Sequence, residues 1–130
     1  KIQPEYQEID ILNSNYVLKS GDFVLGQTLE KVGLDSDLGL FVDGSSTLAR
    51  LGLSICQTAS FITPGQDPHI IVLEFYNAGP WNIELSYNLK IGKLIVFRSS
   101  EMNRTPMREF NRYSGQSVST GAIILENNED

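Results

Sequence analysis

The sequence predicts an all-β domain, and three observations carry that expectation. Short apolar stretches alternate with turn signals at the close spacing of sandwiches and barrels. Sustained helical periodicity is missing. At 130 residues the chain can enclose one hydrophobic core but hardly two. Residues 1–130 are therefore read as one domain, without repeats or low-complexity segments. Its polar, Pro-containing start and its acidic tail (Glu126-Asn127-Asn128-Glu129-Asp130) are expected to fray.

The elements follow in order. Tyr16-Val17-Leu18 runs into the turn Lys19-Ser20-Gly21-Asp22. Phe23-Val24-Leu25-Gly26-Gln27-Thr28 reads as a strand, and Leu38-Gly39-Leu40-Phe41-Val42 as another, ended by Asp43-Gly44. Residues 46–52 are the one helical exception. Ser46 or Thr47 can cap the start, Leu48, Ala49 and Leu51 favour helix, and Gly52 can end it. Residues 69–77 form the longest strand candidate, stopped by Ala78-Gly79-Pro80. Residues 83–85 and 93–97 continue the pattern, with Lys90-Ile91-Gly92 as a turn between them. Ala122-Ile123-Ile124-Leu125 is a further β-like run.

Composition narrows the function. A net charge of −6 argues against a broad nucleic-acid or anionic-membrane surface, yet leaves room for a nucleotide, which needs only local donors. No apolar run is long enough to span a membrane. Cys56 and His69 are the only residues of their kinds. One Cys cannot form an internal disulfide, and the pair is too small a ligand set for zinc-dependent deamination. Leu53, Ile55 and Ala59 around Cys56 suggest a buried core thiol. The start Lys1-Ile2-Gln3-Pro4 has neither an initiator Met nor a signal-peptide core, so a processed or trimmed chain with an intracellular location is expected.

Four segments could carry chemistry. In Asp43-Gly44-Ser45-Ser46-Thr47-Leu48-Ala49-Arg50, a helix start and three consecutive hydroxyls suit a phosphate. Ser46 and Arg50 are four apart and share a helix face, where Arg50 can bind a phosphate or a carboxylate. A capped helix with a solvated Arg fits equally. In residues 70–77, alternation sets Ile70, Val72, Glu74 and Tyr76 on one face and Ile71, Leu73 and Phe75 on the other. Glu74 is then a carboxylate among apolar neighbours: a proton shuttle, or a structural Glu held by a partner such as Arg50. Residues 58–68, with two prolines and a Gly, form a hairpin or tight loop whose backbone can read a base edge, or merely a loop. Residues 111–121 are Gly/Ser-rich with one Tyr, and either close over a ligand or form a flexible tail.

In this order the segments resemble the dCTP deaminase branch of the dUTPase superfamily, most closely from residue 21 to residue 97. Residues 23–30 match the strand that the family places before its first active-site segment. Gly44-Ser45-Ser46-Thr47-Leu48-Ala49-Arg50-Leu51-Gly52 is similar to the family's Gly-Arg-Ser-Ser-Leu-Ala-Arg-Leu-Gly. Thr58-Ala59 through Ile62-Thr63-Pro64-Gly65 is similar to its Thr-Ala-x-x-Ile-Asp-Pro-Gly. Val72-Leu73-Glu74-Phe75-Tyr76-Asn77 falls on the strand with the catalytic Glu. Tyr113-x-Gly115-Gln116 resembles the covering segment, and Ser119-Thr120-Gly121 faintly resembles the phosphate-binding tail of dUTPases.

The resemblance implies a distorted, jelly-roll-like β-barrel (dUTPase-like, β-clip) that forms a homotrimer with active sites between subunits. It implies hydrolytic deamination of dCTP to dUTP with Glu74 as proton shuttle. Ser46 and Arg50 would position water, nucleotide and Glu. Ser45, Thr47 and Thr63 would contribute to nucleotide binding, backbone near Ala59 and Ile62 would read the pyrimidine, and Tyr113 and Gln116 would close the site. Mg²⁺ would ride on the triphosphate, with no protein metal site. The chain departs from the pattern at Ser45, where the family has Arg, at Thr63, where it has Asp, and at Phe61, where deaminases often have Arg. The loop around Gln66-Asp67-Pro68 is one residue longer, and the N-terminus is expected to be shortened. Two other readings therefore stay open: a dUTP diphosphatase, whose water-orienting Asp is Thr63 here, and a non-catalytic homologue that binds a nucleotide or a partner or supports an assembly.

Overall fold

A computed structural model describes residues 5–99. The order is β1 (Tyr16–Leu18), β2 (Phe23–Leu34), β3 (Leu38–Gly44), α1 (Ser46–Arg50), β4 (Leu53–Ser54), β5 (Phe61–Ile62), β6 (Gln66–Asn77), β7 (Ile83–Leu85) and β8 (Gly92–Arg98). All pairings are antiparallel, in three small sheets ordered β1-β7, β2-β6-β4 and β5-β3-β8. No two strands consecutive in sequence pair with each other. The chain thus wraps repeatedly around its core, as a jelly roll does, instead of folding into hairpins. The all-β expectation holds. The run at residues 122–125 lies outside the described residues.

Differences from the sequence expectation have local causes. β2 continues past residue 28 because two register shifts, between Gln27 and Lys31 and between Val32 and Leu34, keep it paired to β6. At the first shift the Thr28 hydroxyl accepts from the Ile71 amide at 2.9 Å and donates to the Glu30 carbonyl at 2.8 Å, standing in for a ladder bond. β4 and β5 are each two residues long, too short for any periodicity to announce. The segment read as a hairpin or tight loop therefore contains β5, in which Ile62 opposes Leu40 and Phe61 opposes Phe41. The helix occurs as expected, but Ser45 is its N-cap, extended at φ −73 and ψ 131 and making no side-chain capping bond.

The core comprises Leu18, Leu53, Ile55, Ile71, Leu73, Phe75, Ile83 and Leu85. Each such side chain contributes about 1.5–3 kcal/mol by leaving water. The alternation read along β6 is realised: Ile71, Leu73 and Phe75 face this core, whereas Val72 and Glu74 are half-buried and Tyr76 is exposed. Ile70 is buried as well. Asn77 ends the strand at 0% exposure. Its side-chain amide donates to the carbonyls of Leu18 at 3.1 Å and Trp81 at 2.6 Å, while its Oδ1 accepts from Gly79 N at 3.0 Å.

Gly52, just past α1, has φ +98. Its carbonyl accepts from Ala78 N at 2.9 Å, and a Cβ built on it would stand 2.3 Å from Gly79 N. Two backbones cross here too closely for any side chain. Gly21 also has a positive φ, +84, but open space around it.

These two glycines separate conformational strain from steric exclusion. Gly21→Ala should cost about 1–2 kcal/mol in urea unfolding, the usual penalty of the left-handed region for a residue with a Cβ. Gly52→Ala should cost markedly more, and equal losses would show that the backbone crossing is not tight. Asn77→Ala, which strips the buried Leu18 carbonyl and Gly79 amide and the part-buried Trp81 carbonyl of their partner, should cost several kcal/mol, at about 1–3 kcal/mol per buried unsatisfied group. A loss below about 1 kcal/mol would mean that water replaces the amide there.

Candidate functional site

An open cleft of about 560 Å³ lies where the end of β3, α1, residues 53–60 and the start of β8 converge. Its wall carries the hydroxyls of Ser46, Ser54 and Ser60, the thiol of Cys56 and the amide of Gln57, with Asp43 and Lys93 at one side. Ser54 Oγ donates to the Cys56 carbonyl at 3.0 Å and accepts from Gln57 Nε2 at 3.2 Å. This short network fixes the chain leaving β4.

Glu74 stands on β6, where it opposes Leu25; it is not itself among the residues lining the cleft but adjoins two that are, Cys56 and Gln57. Its backbone N–H donates to the Ile55 carbonyl at 3.0 Å, and its Oε2 accepts from Gln57 N at 3.2 Å. Cys56, between those two partners, is beside the carboxylate. Burial pushes its thiol pKa up, the negative charge of Glu74 and a hydrogen bond to it push the same way, and a hydrogen bond from the Ala59 backbone opposes them. Cys56 thus packs against the core only in part and otherwise lines the cleft, where the sequence suggested a fully buried thiol. Glu74 is half-buried within one chain.

The other anticipated residues distribute unevenly. Ser46 lines the cleft and Thr47 is exposed beside it. Ser45 is half-buried, its N–H donating to Ile91 O at 2.9 Å. Arg50 is exposed and outside the cleft lining, and its side chain makes no ion pair or hydrogen bond with another described residue. It is therefore not the partner of Glu74 within one chain. Ala59 is exposed. Ile62 and Thr63 are half-buried, and the Thr63 hydroxyl accepts from the Gln66 side-chain amide. Tyr113 and Gln116 lie outside the described residues.

The cleft also holds residues outside the singled-out segments, Ser54, Gln57 and Lys93, together with Asp43 and Ser60, which lie within those segments but have no role assigned there. Gln57 holds Glu74 through its backbone, so its side chain carries no signal of that role. Lys93 reaches the cleft because β8 pairs with β3, which places it opposite Asp43. Among the described residues no three His, Cys, Asp or Glu side chains gather as a metal-binding group. No helix there is long and apolar enough to cross a membrane.

Comparison with known proteins agrees with this fold. Residues 2–99 match the model of the dCTP deaminase-like family. Relatives named dCTP deaminase, dUMP-forming, include one from Parafrankia sp., 43% identical over 104 residues, covering 78% of this chain and 51% of the relative. Another, from Pseudarthrobacter chlorophenolicus, is 41% identical over 104 residues, covering 78% of this chain and 54% of the relative. One from Streptomyces griseus is 36% identical over 129 residues, covering 97% of this chain and 64% of the relative. The chain thus spans about half to two thirds of the length of these curated relatives. Among solved structures, the native EIAV dUTPase superposes with a TM-score of 0.58 at 23% identity, covering 80% of this chain and 88% of that one, a likeness of fold. With the family model matching most of its length, the chain belongs to the dCTP deaminase-like family.

Proposed function

We propose that this domain binds a deoxypyrimidine triphosphate and deaminates dCTP to dUTP. The observation that carries the reading is a carboxylate, Glu74, held by a backbone amide between two cleft-lining residues, Cys56 and Gln57. In the reaction water adds to C4 of cytosine, Glu74 takes its proton and delivers one to the exocyclic nitrogen, and ammonia leaves as the C4 carbonyl forms. Such proton transfer by a positioned side chain is worth about 10²–10⁴-fold in rate. Ser46 and Arg50 position water, nucleotide and Glu74. Ser45, Thr47 and Thr63 contribute to binding the nucleotide, Ala59 and Ile62 read the pyrimidine through backbone groups, and Tyr113 and Gln116 close the site.

The outward direction of Arg50 supports sites assembled between chains, and the apolar surface supports a homotrimer. All seven residues of β8 are exposed, including Leu94, Ile95, Val96 and Phe97. Phe97 lies 5.6 Å from Phe41 and 5.9 Å from Phe61, ring centre to ring centre, on the same sheet. An edge strand this apolar calls for a partner. The cleft offers Mg²⁺ one carboxylate, Asp43, already paired with Lys93. A Mg²⁺ ion would therefore be carried by the triphosphate oxygens, where it supplies charge neutralisation. An intracellular location fits such a substrate.

A second reading, in which the product continues to dUMP, is favoured by the names of the relatives, dCTP deaminase, dUMP-forming. Against it stands Thr63, a hydroxyl bonded to Gln66 where the family pattern has a carboxylate.

Incubation with Mg²⁺ and either dCTP or dUTP, followed by anion-exchange chromatography, separates the readings. The expected product is dUTP from dCTP. Appearance of dUMP and pyrophosphate would favour the second reading, and no product from either would leave a binding or structural role. Glu74→Gln should abolish ammonia release while nucleotide binding persists, and retained turnover would remove the shuttle mechanism. The Cys56–Glu74 contact has its own measurement. Because the raised thiol pKa keeps the thiolate fraction low, Cys56 should alkylate slowly near pH 8, faster as pH rises, and faster in Glu74→Gln, where one cause of the rise is gone. An unchanged rate in the variant would contradict the contact. In sedimentation the chain should run at three times its own mass, and Phe97→Glu should shift it toward monomer with loss of turnover. A monomeric wild type with full activity would refute the composite site.

A further inference from the structure

We infer that Lys93 is a phosphate-binding residue of the cleft, supplying from β8 the cation that the hydroxyl-rich segment at residues 45–47 lacks. This deepens the proposed function and rests on its reading of a nucleotide triphosphate as the ligand. Among the described residues Lys93 is the one cation that lines the cleft, and it does so together with Ser46. Its placement is rigid. Lys93 opposes Asp43 and Gly92 opposes Gly44, while Ser45 N donates to Ile91 O at 2.9 Å. The strands approach so closely that a Cβ on Gly92 would stand 2.4 Å from Asp43 O and 2.7 Å from Ile55 Cδ1. The root of the Lys93 side chain is thereby fixed beside the cleft, and only its tetramethylene stem is free to search.

The ammonium is also available. Its Nζ stands 3.3 Å from Asp43 Oδ2, with side chains 62% and 54% exposed. An ion pair so open to water is weakly held, and a lysine with three rotatable donors can keep that carboxylate while turning toward a phosphate. Among the described residues Asp43 is the one carboxylate lining the cleft, so without Lys93 that wall would present uncompensated negative charge to a polyanion. In a chain of net charge −6, attraction for an oligophosphate must come from such a local cation.

Calorimetric titration of the 130-residue chain with dCTP and with inorganic tripolyphosphate, at low salt and with Mg²⁺, tests this. Lys93→Gln should weaken both ligands about tenfold, the size of one lost charge-assisted bond, and Lys93→Arg should retain most of the affinity. Adding Asp43→Asn to Lys93→Gln should recover part of the loss, a coupling that a purely structural role would not show. Thermal melts serve as the folding control, since both side chains are exposed. If dCTP binds wild type and Lys93→Gln equally, the inference is overturned and the proposed function stands. If wild type binds tripolyphosphate through Lys93 but not dCTP, the nucleotide reading fails and the inference stands. Binding of neither ligand by wild type overturns both.

Discussion

The geometry of this domain depends on the side-chain amide of Asn77. Wholly buried, it joins the end of β6 to the end of β1 through Leu18 and to the following turn through Trp81 and Gly79. Its own backbone is tied to the Lys19–Asp22 turn, with the carbonyl accepting from Gly21 N at 2.7 Å and the N–H donating to Asp22 O at 3.1 Å. Every polar group of the residue is thus satisfied away from water, the condition under which a buried network stabilises one arrangement and penalises others. Asn77 also opposes Leu53, so the same residue sets the register of β4. Three residues earlier stands Glu74, and three residues beyond Ser54 stands Gln57, whose amide holds the Glu74 carboxylate. The distance across that hydrogen bond is therefore governed from the core. A change in how Asn77 is seated would move the carboxylate and its holder relative to each other.

The crossing of Gly52 and Gly79 completes this arrangement. α1 ends, the chain turns through a left-handed residue, and β4 begins immediately against the turn that follows β6. The contact admits no side chain on either backbone. That close approach draws the serine-rich entrance of α1 and the Glu74 strand into one neighbourhood although Ser46 and Glu74 lie 28 positions apart in sequence. The two segments are each local in sequence, and a glycine-on-glycine contact supplies their proximity.

The legibility of the sequence follows the same division. Strand existence was readable wherever an apolar run of several residues met a turn signal, as in β3, β6 and β8. The helix was readable from its helix-favouring residues and terminal glycine, although its N-cap proved to be Ser45. Pairing was not, because every strand partner is distant in sequence and no tight hairpin turn declares a neighbour. β4 and β5 escaped notice since two residues make no period. Ser46 in the cleft and Glu74 beside it stood out as polar side chains in distinctive local settings. Gln57 did not, because it acts through a backbone N–H that every residue but proline possesses. Cys56 was read from its apolar neighbours as a core thiol, and the structure gives it a core side and a cleft side. Lys93 gained its place from the β3–β8 register, a tertiary fact.

The departures from the family pattern look different once their surroundings are known. Phe61, where an Arg is often found, lies tilted 5.3 Å from Phe41 directly across the β3–β5 pair, and both rings meet Phe97 from β8. An isolated loss of a cation would leave an aromatic residue without company. Instead three strands of one sheet each contribute a ring, a geometry worth about 0.5–1.5 kcal/mol per pair beyond area burial. The substitution thus belongs to a coherent apolar face, and its natural counterpart is another apolar face. The same logic applies at Ser45, whose backbone is bonded to Ile91 at the foot of β8, two residues from the Lys93 ammonium. Charge removed from the start of α1 stands beside charge supplied by β8. These positions therefore read as a redistribution of contacts between neighbouring strands, which a comparison made one residue at a time records only as losses.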